Sequence, residues 1–193
     1  VKTFDTLKLI DTATGTYGGA LSPGAAFSPR GDRFVTAGDQ GTLRMWDTQT
    51  GLQVGKDFTG HTEWVNDAVF SPDGDRLATT SDDRTVRLWN ADTGEPIGRP
   101  MTGHEDEVWG VAFSPDGLMI ATGSVDTDLR LWNAKTGKPI GQPIDHPAEI
   151  VCVEFSRDGR RVVTGGYDGA VRIWDVRTGQ QIGPPHRAHE TLS

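Results

Sequence analysis

The sequence predicts an all-β chain: one unit of four short antiparallel strands, repeated in register. Three observations predict it. First, a strand-like stretch ending in an aromatic residue and a turn recurs as Leu43-Arg-Met-Trp-Asp-Thr-Gln-Thr-Gly51, Val86-Arg-Leu-Trp-Asn-Ala-Asp-Thr-Gly94, Leu129-Arg-Leu-Trp-Asn-Ala-Lys-Thr-Gly137 and Val171-Arg-Ile-Trp-Asp-Val-Arg-Thr-Gly179. Second, its tryptophans, Trp46, Trp89, Trp132 and Trp174, stand 43, 43 and 42 residues apart, and a fixed period of that size marks a repeat architecture. Third, the 193 residues include 25 Gly and 11 Pro, which suits short strands cut by many turns better than long helices. A fainter copy, Leu7-Lys-Leu-Ile-Asp-Thr-Ala-Thr-Gly15, opens the chain, with Ile10 at the tryptophan position.

The third unit shows the elements in order. Val108-Trp-Gly-Val-Ala-Phe113 is an apolar run rich in strand formers. Ser114-Pro-Asp-Gly117 is a turn, with Pro presetting φ at its second position and Gly tolerated at its last. Leu118 to Thr122 is a second strand, Gly123 to Asp128 a turn, and Leu129 to Trp132 a third strand with period-two alternation. Lys138-Pro-Ile-Gly-Gln-Pro143 is a poor fourth strand. Its prolines cannot donate to a ladder, which puts it on an edge. The corresponding first strands end at Phe27, Phe70 and Phe155, followed by Ser28-Pro-Arg-Gly31, Ser71-Pro-Asp-Gly74 and Ser156-Arg-Asp-Gly159. Such four-stranded units arranged radially, with the proline-bearing strand outermost, are the blades of a β-propeller.

The expected repeats are roughly 1–15 (partial), 16–51, 52–94, 95–137, 138–179 and 180–193, the last being the start of another unit. That makes four whole blades in a partial ring with partial units at both ends. The first link is short, since Ile10 to Trp46 is 36 residues and the loss falls in Thr16 to Gly24. At the other end, His186-Arg-Ala-His189-Glu-Thr-Leu-Ser193 reads as the next unit beginning. Three explanations of the arc stand open: a piece of a longer propeller, copies that associate, or a small closed ring. The chain opens on Val1 rather than Met, which leaves a longer natural N-terminus open.

The formal net charge is −8. An acidic chain argues against nucleic acid, which requires a basic face, and against anionic membrane surfaces. It steers basic partners inward. The one cysteine, Cys152, excludes an internal disulfide. No apolar run is long enough to span a bilayer, and the N-terminal residues lack a signal peptide's apolar core. A cytoplasmic location is the expectation.

The units resemble the WD-repeat family of β-propellers from Leu7 onward. Carrying the resemblance are Gly60-His61 and Gly103-His104, the Ser-Pro-Asp-Gly turn and the strand ending in Trp-Asp or Trp-Asn. The near-identical repeats and the Thr-Gly-x-Pro-Ile-Gly segments, Thr93 to Gly98 and Thr136 to Gly141, resemble bacterial members, which often sit behind a signalling ATPase or kinase domain. The resemblance implies a bracing hydrogen-bond network in each blade: His61, Thr79, Asp83 and Trp89; His104, Thr122, Asp126 and Trp132; His146, Thr164, Asp168 and Trp174, with Asp145 replacing the usual Gly. The first blade keeps Thr36 and Trp46 but has Gln40 for Asp and no His, so its network is expected to be broken or rebuilt through Asp39.

Catalytic and metal chemistry fare poorly. His61, His104, His146 and His189 recur one per repeat, whereas metal ligands must converge. Asp73-Gly-Asp75 lacks the further ligands of a calcium loop. Cys152 lies inside a first strand with no His/Asn pair arranged for it. The expectations are no enzyme, no metal and no cofactor. What remains is a surface. Two tryptophans fall outside the repeat, Trp64 and Trp109. The resemblance implies that their positions project around the narrow end of the ring, with the residue before the network Asp, where partner peptides are gripped. These positions carry Trp64, Asn66 and Asp82; Glu107, Trp109 and Val125; Glu149, Val151 and Tyr167; and Asp39 from the first blade. Aromatics among carboxylates suit a protein segment with apolar anchors and Lys or Arg. Self-association, or a structural role within a larger propeller, is the alternative.

Overall fold

The computed structural model describes residues 25–187, apart from the side chain of Asp39. The partial unit Leu7 to Gly15, the short link, and His189 lie outside the described residues, as does the expectation for the Asp39 side chain.

The described chain is four antiparallel meanders. The first blade comprises β1 (Ala25–Phe27), β2 (Arg33–Ala37), β3 (Leu43–Asp47) and β4 (Gln53–Phe58). The second has β5 (Val65–Phe70), β6 (Arg76–Ser81) and β7 (Val86–Asn90). The third has β8 (Val108–Phe113), β9 (Met119–Ser124), β10 (Asp128–Asn133) and β11 (Ile144–Asp145). The fourth has β12 (Ile150–Phe155), β13 (Arg161–Gly166), β14 (Ala170–Asp175) and β15 (His186–Arg187). A 3-10 turn, Asp39–Gly41, is the helical segment among the described residues, and none of their helices is long and apolar enough to cross a membrane.

The turns follow directly from their residues. In the second blade Gly74 N donates to Ser71 O at 2.8 Å, and the Ser71 hydroxyl bonds the Asp73 carboxylate. Gly74 sits at φ +80°, open to glycine at little cost. After each repeat tryptophan, the Asp or Asn side chain closes the next turn: Asn90 Oδ1 accepts from Asp92 N and Thr93 N at 3.0 and 2.9 Å. This is an Asx turn, the reason Asp and Asn alternate there.

The outer strands depart from expectation. Lys138 to Pro143 does not form the fourth ladder. It makes a single bridge, Trp132 with Pro139, and the paired residues come later, Ile144 with Leu129 and Asp145 with Asp128. Gly141 at φ +73° bulges the chain between the two contacts. In the second blade this edge is reduced to the bridges Trp89–Pro96 and Val86–Met101. His186 and Arg187, expected to start another unit, instead pair with Val171 and Ala170 as the fourth blade's outer strand. Each sheet therefore finishes inside the opening residues of the next sequence repeat, and the blades are offset from the repeat boundaries.

Successive first strands face one another, β1 to β5, β5 to β8 and β8 to β12, so the first strand of each blade is innermost. The core is three separate seams. One joins Val35, Leu43, Met45 and Phe58 to Val65, Phe70, Leu77 and Trp89 of the second blade. The next joins Val86, Leu88 and Met101 to Val108, Phe113, Ile120 and Trp132. The last joins Ala121, Leu129 and Leu131 to Ile150, Phe155, Val162 and Trp174. Trp89 and Trp132 are fully buried.

Candidate functional site

Two kinds of polar constellation emerge, one inside the blades and one on a face. Inside the second blade, His61 Nδ1 lies 2.8 Å from Asp83, His61 Nε2 lies 2.8 Å from the Thr79 hydroxyl, and Trp89 Nε1 donates to that hydroxyl at 2.9 Å. The third blade repeats this geometry: His104 with Asp126 and Thr122 at 2.8 Å each, and Trp132 donating to Thr122 at 2.8 Å. The carboxylate requires Nδ1 to carry the proton, so the threonine hydroxyl donates to Nε2 while accepting from the indole. Every buried polar atom in this relay is thereby paired, and neighbouring bonds reinforce one another. The relay ties the inner loop, second strand and third strand of one blade together. It is a brace whose side chains are buried.

The fourth blade assembles differently. Trp174 still donates to Thr164 at 2.9 Å. Asp168, however, pairs with Arg172 at 2.6 and 3.1 Å, and His146 Nδ1 donates to Ala148 O at 2.6 Å. His146 Nε2 is buried without a hydrogen-bond partner among the described residues. Two residues account for this. In the other blades the backbone N–H after the histidine, of Thr62 or Glu105, anchors the aspartate at 3.1 or 2.8 Å; here that residue is Pro147, which has no N–H. Ser81 and Ser124, whose hydroxyls accept from the Asp83 and Asp126 N–H groups, are replaced by Gly166. The Thr85 Oγ1 donation to Asp83 at 2.6 Å is absent from the third blade too, where Asp128 stands at that position and the network still closes. The freed carboxylate is taken by Arg172. In the first blade Trp46 donates to Thr36 at 2.9 Å, the one such bond described there.

The carboxylates of these networks set an acid limit. Burial opposes the charge on Asp126, but the bonds from His104, Asp128 N–H and Glu105 N–H outweigh it and hold the group down at about 2. Asp83 is lowered by the same balance with His61 and Thr85. Arg172 holds Asp168 at about 2 against burial. Asp67 goes the other way. On β5 it accepts from Ala68 N at 2.8 Å and, across the seam, from Val111 N at 3.1 Å, yet burial pushes it up to about 6. A group lowered in the fold stabilises above its unfolded value of about 4 and loses that contribution as pH falls. A raised carboxyl stabilises below its folded value and costs stability as pH rises through it. Glu154 is raised by burial as well, and His146, lowered by burial, opposes both as pH falls, so the contribution of Asp67 is read by difference. The denaturant midpoint of Asp67→Asn relative to the unsubstituted protein is expected to be more favourable at pH 7 than at pH 5, with the acid fall below about 4 retained; a difference that does not change between pH 7 and 5 would contradict this.

The second constellation lies on the face formed by the loops before the first strands and between the second and third. Asp82 N donates to Trp64 O at 3.0 Å, Val125 N to Glu107 O at 3.0 Å and Tyr167 N to Glu149 O at 2.8 Å, so these positions lie in pairs. A bulge then interrupts each first strand, at Asn66, Trp109 and Val151. Bulges re-aim side chains, and these three positions were singled out from the sequence without the bulge being foreseen. Trp64 is 39% exposed, Tyr167 71%, and Trp109 half-buried. Trp109 donates to Glu107 at 3.0 Å and meets Tyr167 of the next blade, ring centres 6.3 Å apart. The aromatic contact described for Trp109 is thus with Tyr167. Asn66 is committed internally: it donates to Asp82 at 2.6 Å and to Val108 O across the seam at 3.0 Å. Glu149, Val151 and Val125 are half-exposed around them. Among the described residues no group of His, Cys, Asp and Glu is placed to hold a metal ion.

Radial meanders, innermost first strands and apolar seams between blades define a β-propeller, here a partial ring. Residues 24–192 match the family model described as the IFT122 first beta-propeller, and the chain belongs to that family. Propeller domains of this kind are typically protein-interaction scaffolds. No curated protein matches the chain.

Proposed function

We propose that this chain is a non-catalytic scaffold that binds a protein segment on the face carrying Trp64, Trp109 and Tyr167. The observation that carries the reading is the Trp109–Tyr167 pair spanning two blades, with Tyr167 71% exposed. Large aromatics left in water beside carboxylates have the makeup of binding hot spots. Glu107, Glu149 and Asp82 supply negative charge on the same face, which selects a Lys or Arg next to an apolar anchor and speeds its approach at low salt. The relay residues are internally paired, which leaves no free acid–base pair among them for catalysis. The bacterial signalling context suggested by the near-identical repeats extends this reading and rests on those repeats alone.

Selection from a random peptide library, followed by calorimetry, tests it. The selected peptides are expected to carry Lys or Arg beside an apolar residue. Trp109→Ala with Tyr167→Ala should weaken them about tenfold or more, and Trp64→Ala by less. Peptides that bind the double variant with unchanged affinity would sink the proposal. A second reading, a structural arc that assembles with its own kind, is favoured by the sheet faces at its two ends.

A further inference from the structure

The two end faces of the arc are the two halves of a blade seam. On the first blade, the positions matching Phe70, Leu77 and Trp89 are Phe27, Phe34 and Trp46. Within the arc the corresponding residues are buried: Phe70, Phe113 and Phe155 at 6–7%, Leu77, Ile120 and Val162 at 0–1%, and Trp89, Trp132 and Trp174 at 0–5%. On the first blade Phe27 is 68% exposed, and Phe34 and Trp46 are half-exposed. These three rings form a ladder, centres 5.7 and 6.3 Å apart. On the fourth blade, the positions matching Ala121, Leu129, Leu131 and Ile140 are Val163, Val171, Ile173 and Ile182. Val171 and Ile182 are 37% and 38% exposed. One end presents the aromatic half of a seam, the other the aliphatic half.

A charged residue carries the match further. Arg76 reaches across its seam: its guanidinium lies 5.4 Å from the Phe113 ring centre and donates to Gly117 O at 2.9 Å and Ala134 O at 3.3 Å. Arg33 crosses the preceding seam to Ala91 O and Asp92, the latter at 2.6 Å. The same position on the fourth blade is Arg161, which is exposed. The first-blade counterparts of Phe113, Gly117 and Ala134 are Phe27, Gly31 and Thr48.

We propose that a second copy of this chain docks head to tail on the first, with Val163, Val171, Ile173 and Ile182 of one copy covering Phe27, Phe34 and Trp46 of the other, and Arg161 lying over Phe27. The interface is heterologous, so it closes a ring or polymerises. Two copies contribute eight of the described blades, within the usual range of about 4–8 for a ring. Nothing new has to be recognised: each face meets the surface its counterparts already meet three times inside the chain.

Sedimentation equilibrium of the 193-residue chain is expected to give twice 20.9 kDa. Phe27→Arg and Val171→Lys, each on an exposed position, should give monomers with the denaturant midpoint of the dissociated parent chain. Mixing the two variants should restore a dimer, because one seam between them stays intact; a symmetric face-to-face dimer would not be rescued this way. A monomer at every concentration, a dimer indifferent to either substitution, or a mixture that remains monomeric would each overturn the proposal.

Discussion

Asp126→Ala is expected to destabilise the protein by about 3 kcal/mol or more, and Asp116→Ala by about 1 kcal/mol. The two aspartates lie ten residues apart in one blade and differ in what depends on them. Asp126 accepts from His104 at 2.8 Å, Glu105 N at 2.8 Å and Asp128 N at 2.9 Å, and its side chain is 7% exposed. Its removal leaves an imidazole N–H and two backbone N–H groups without their acceptor, and a buried donor left unpaired costs about 1–3 kcal/mol. Asp116 also has partners, the Ser114 hydroxyl at 2.6 Å and Leu118 N at 3.0 Å, but it is exposed and water replaces it. Denaturant midpoints of the two variants measure the difference. Equal shifts would mean that the His104 network does not brace the blade.

Thr122→Val is expected to cost about 2–4 kcal/mol, and Thr164→Val about 1–2 kcal/mol. Valine keeps the shape and removes the hydroxyl. In the third blade that hydroxyl serves two buried atoms, His104 Nε2 and Trp132 Nε1, both at 2.8 Å. In the fourth it serves Trp174 alone, at 2.9 Å, because His146 has turned to Ala148 O. Both threonines are fully buried, so burial cancels between the variants and the number of orphaned partners remains. A larger loss for Thr164→Val, read by the same denaturation, would place His146 back in the relay and contradict the Pro147 explanation.

The residues that failed to behave as their repeat suggested are informative. His146, Thr164, Asp168 and Trp174 all stand at their motif positions, and nothing in those four letters signals that the aspartate will leave the histidine. The signal was in neighbours that carry no motif: Pro147 lacks an N–H, and Gly166 lacks a hydroxyl. On the binding face, Trp64, Trp109 and Tyr167 were legible as residues outside the repeat's structural demands. Their companionship was not, because Trp109 and Tyr167 are 58 positions apart and meet only across a seam. The third blade's outer strand was misplaced by several residues for a related reason. An edge ladder of two residues, such as Ile144–Asp145, buries too little to leave a hydrophobic pattern.

The sequence by itself determined that the chain is a repeat of short antiparallel strands, where its turns fall, and which His, Thr, Asp and Trp positions stand in register. Those are local properties: period-two alternation, Asx and proline turn chemistry, and a spacing that needs no third dimension. Only the tertiary structure decided which networks close, which aromatics pair, where each sheet ends and which halves of a seam remain exposed at the ends of the arc. Those outcomes depend on contacts between blades and on competition for a single carboxylate, as between Arg172 and His146 for Asp168, where a difference of one hydrogen bond, about 1 kcal/mol, decides the partner.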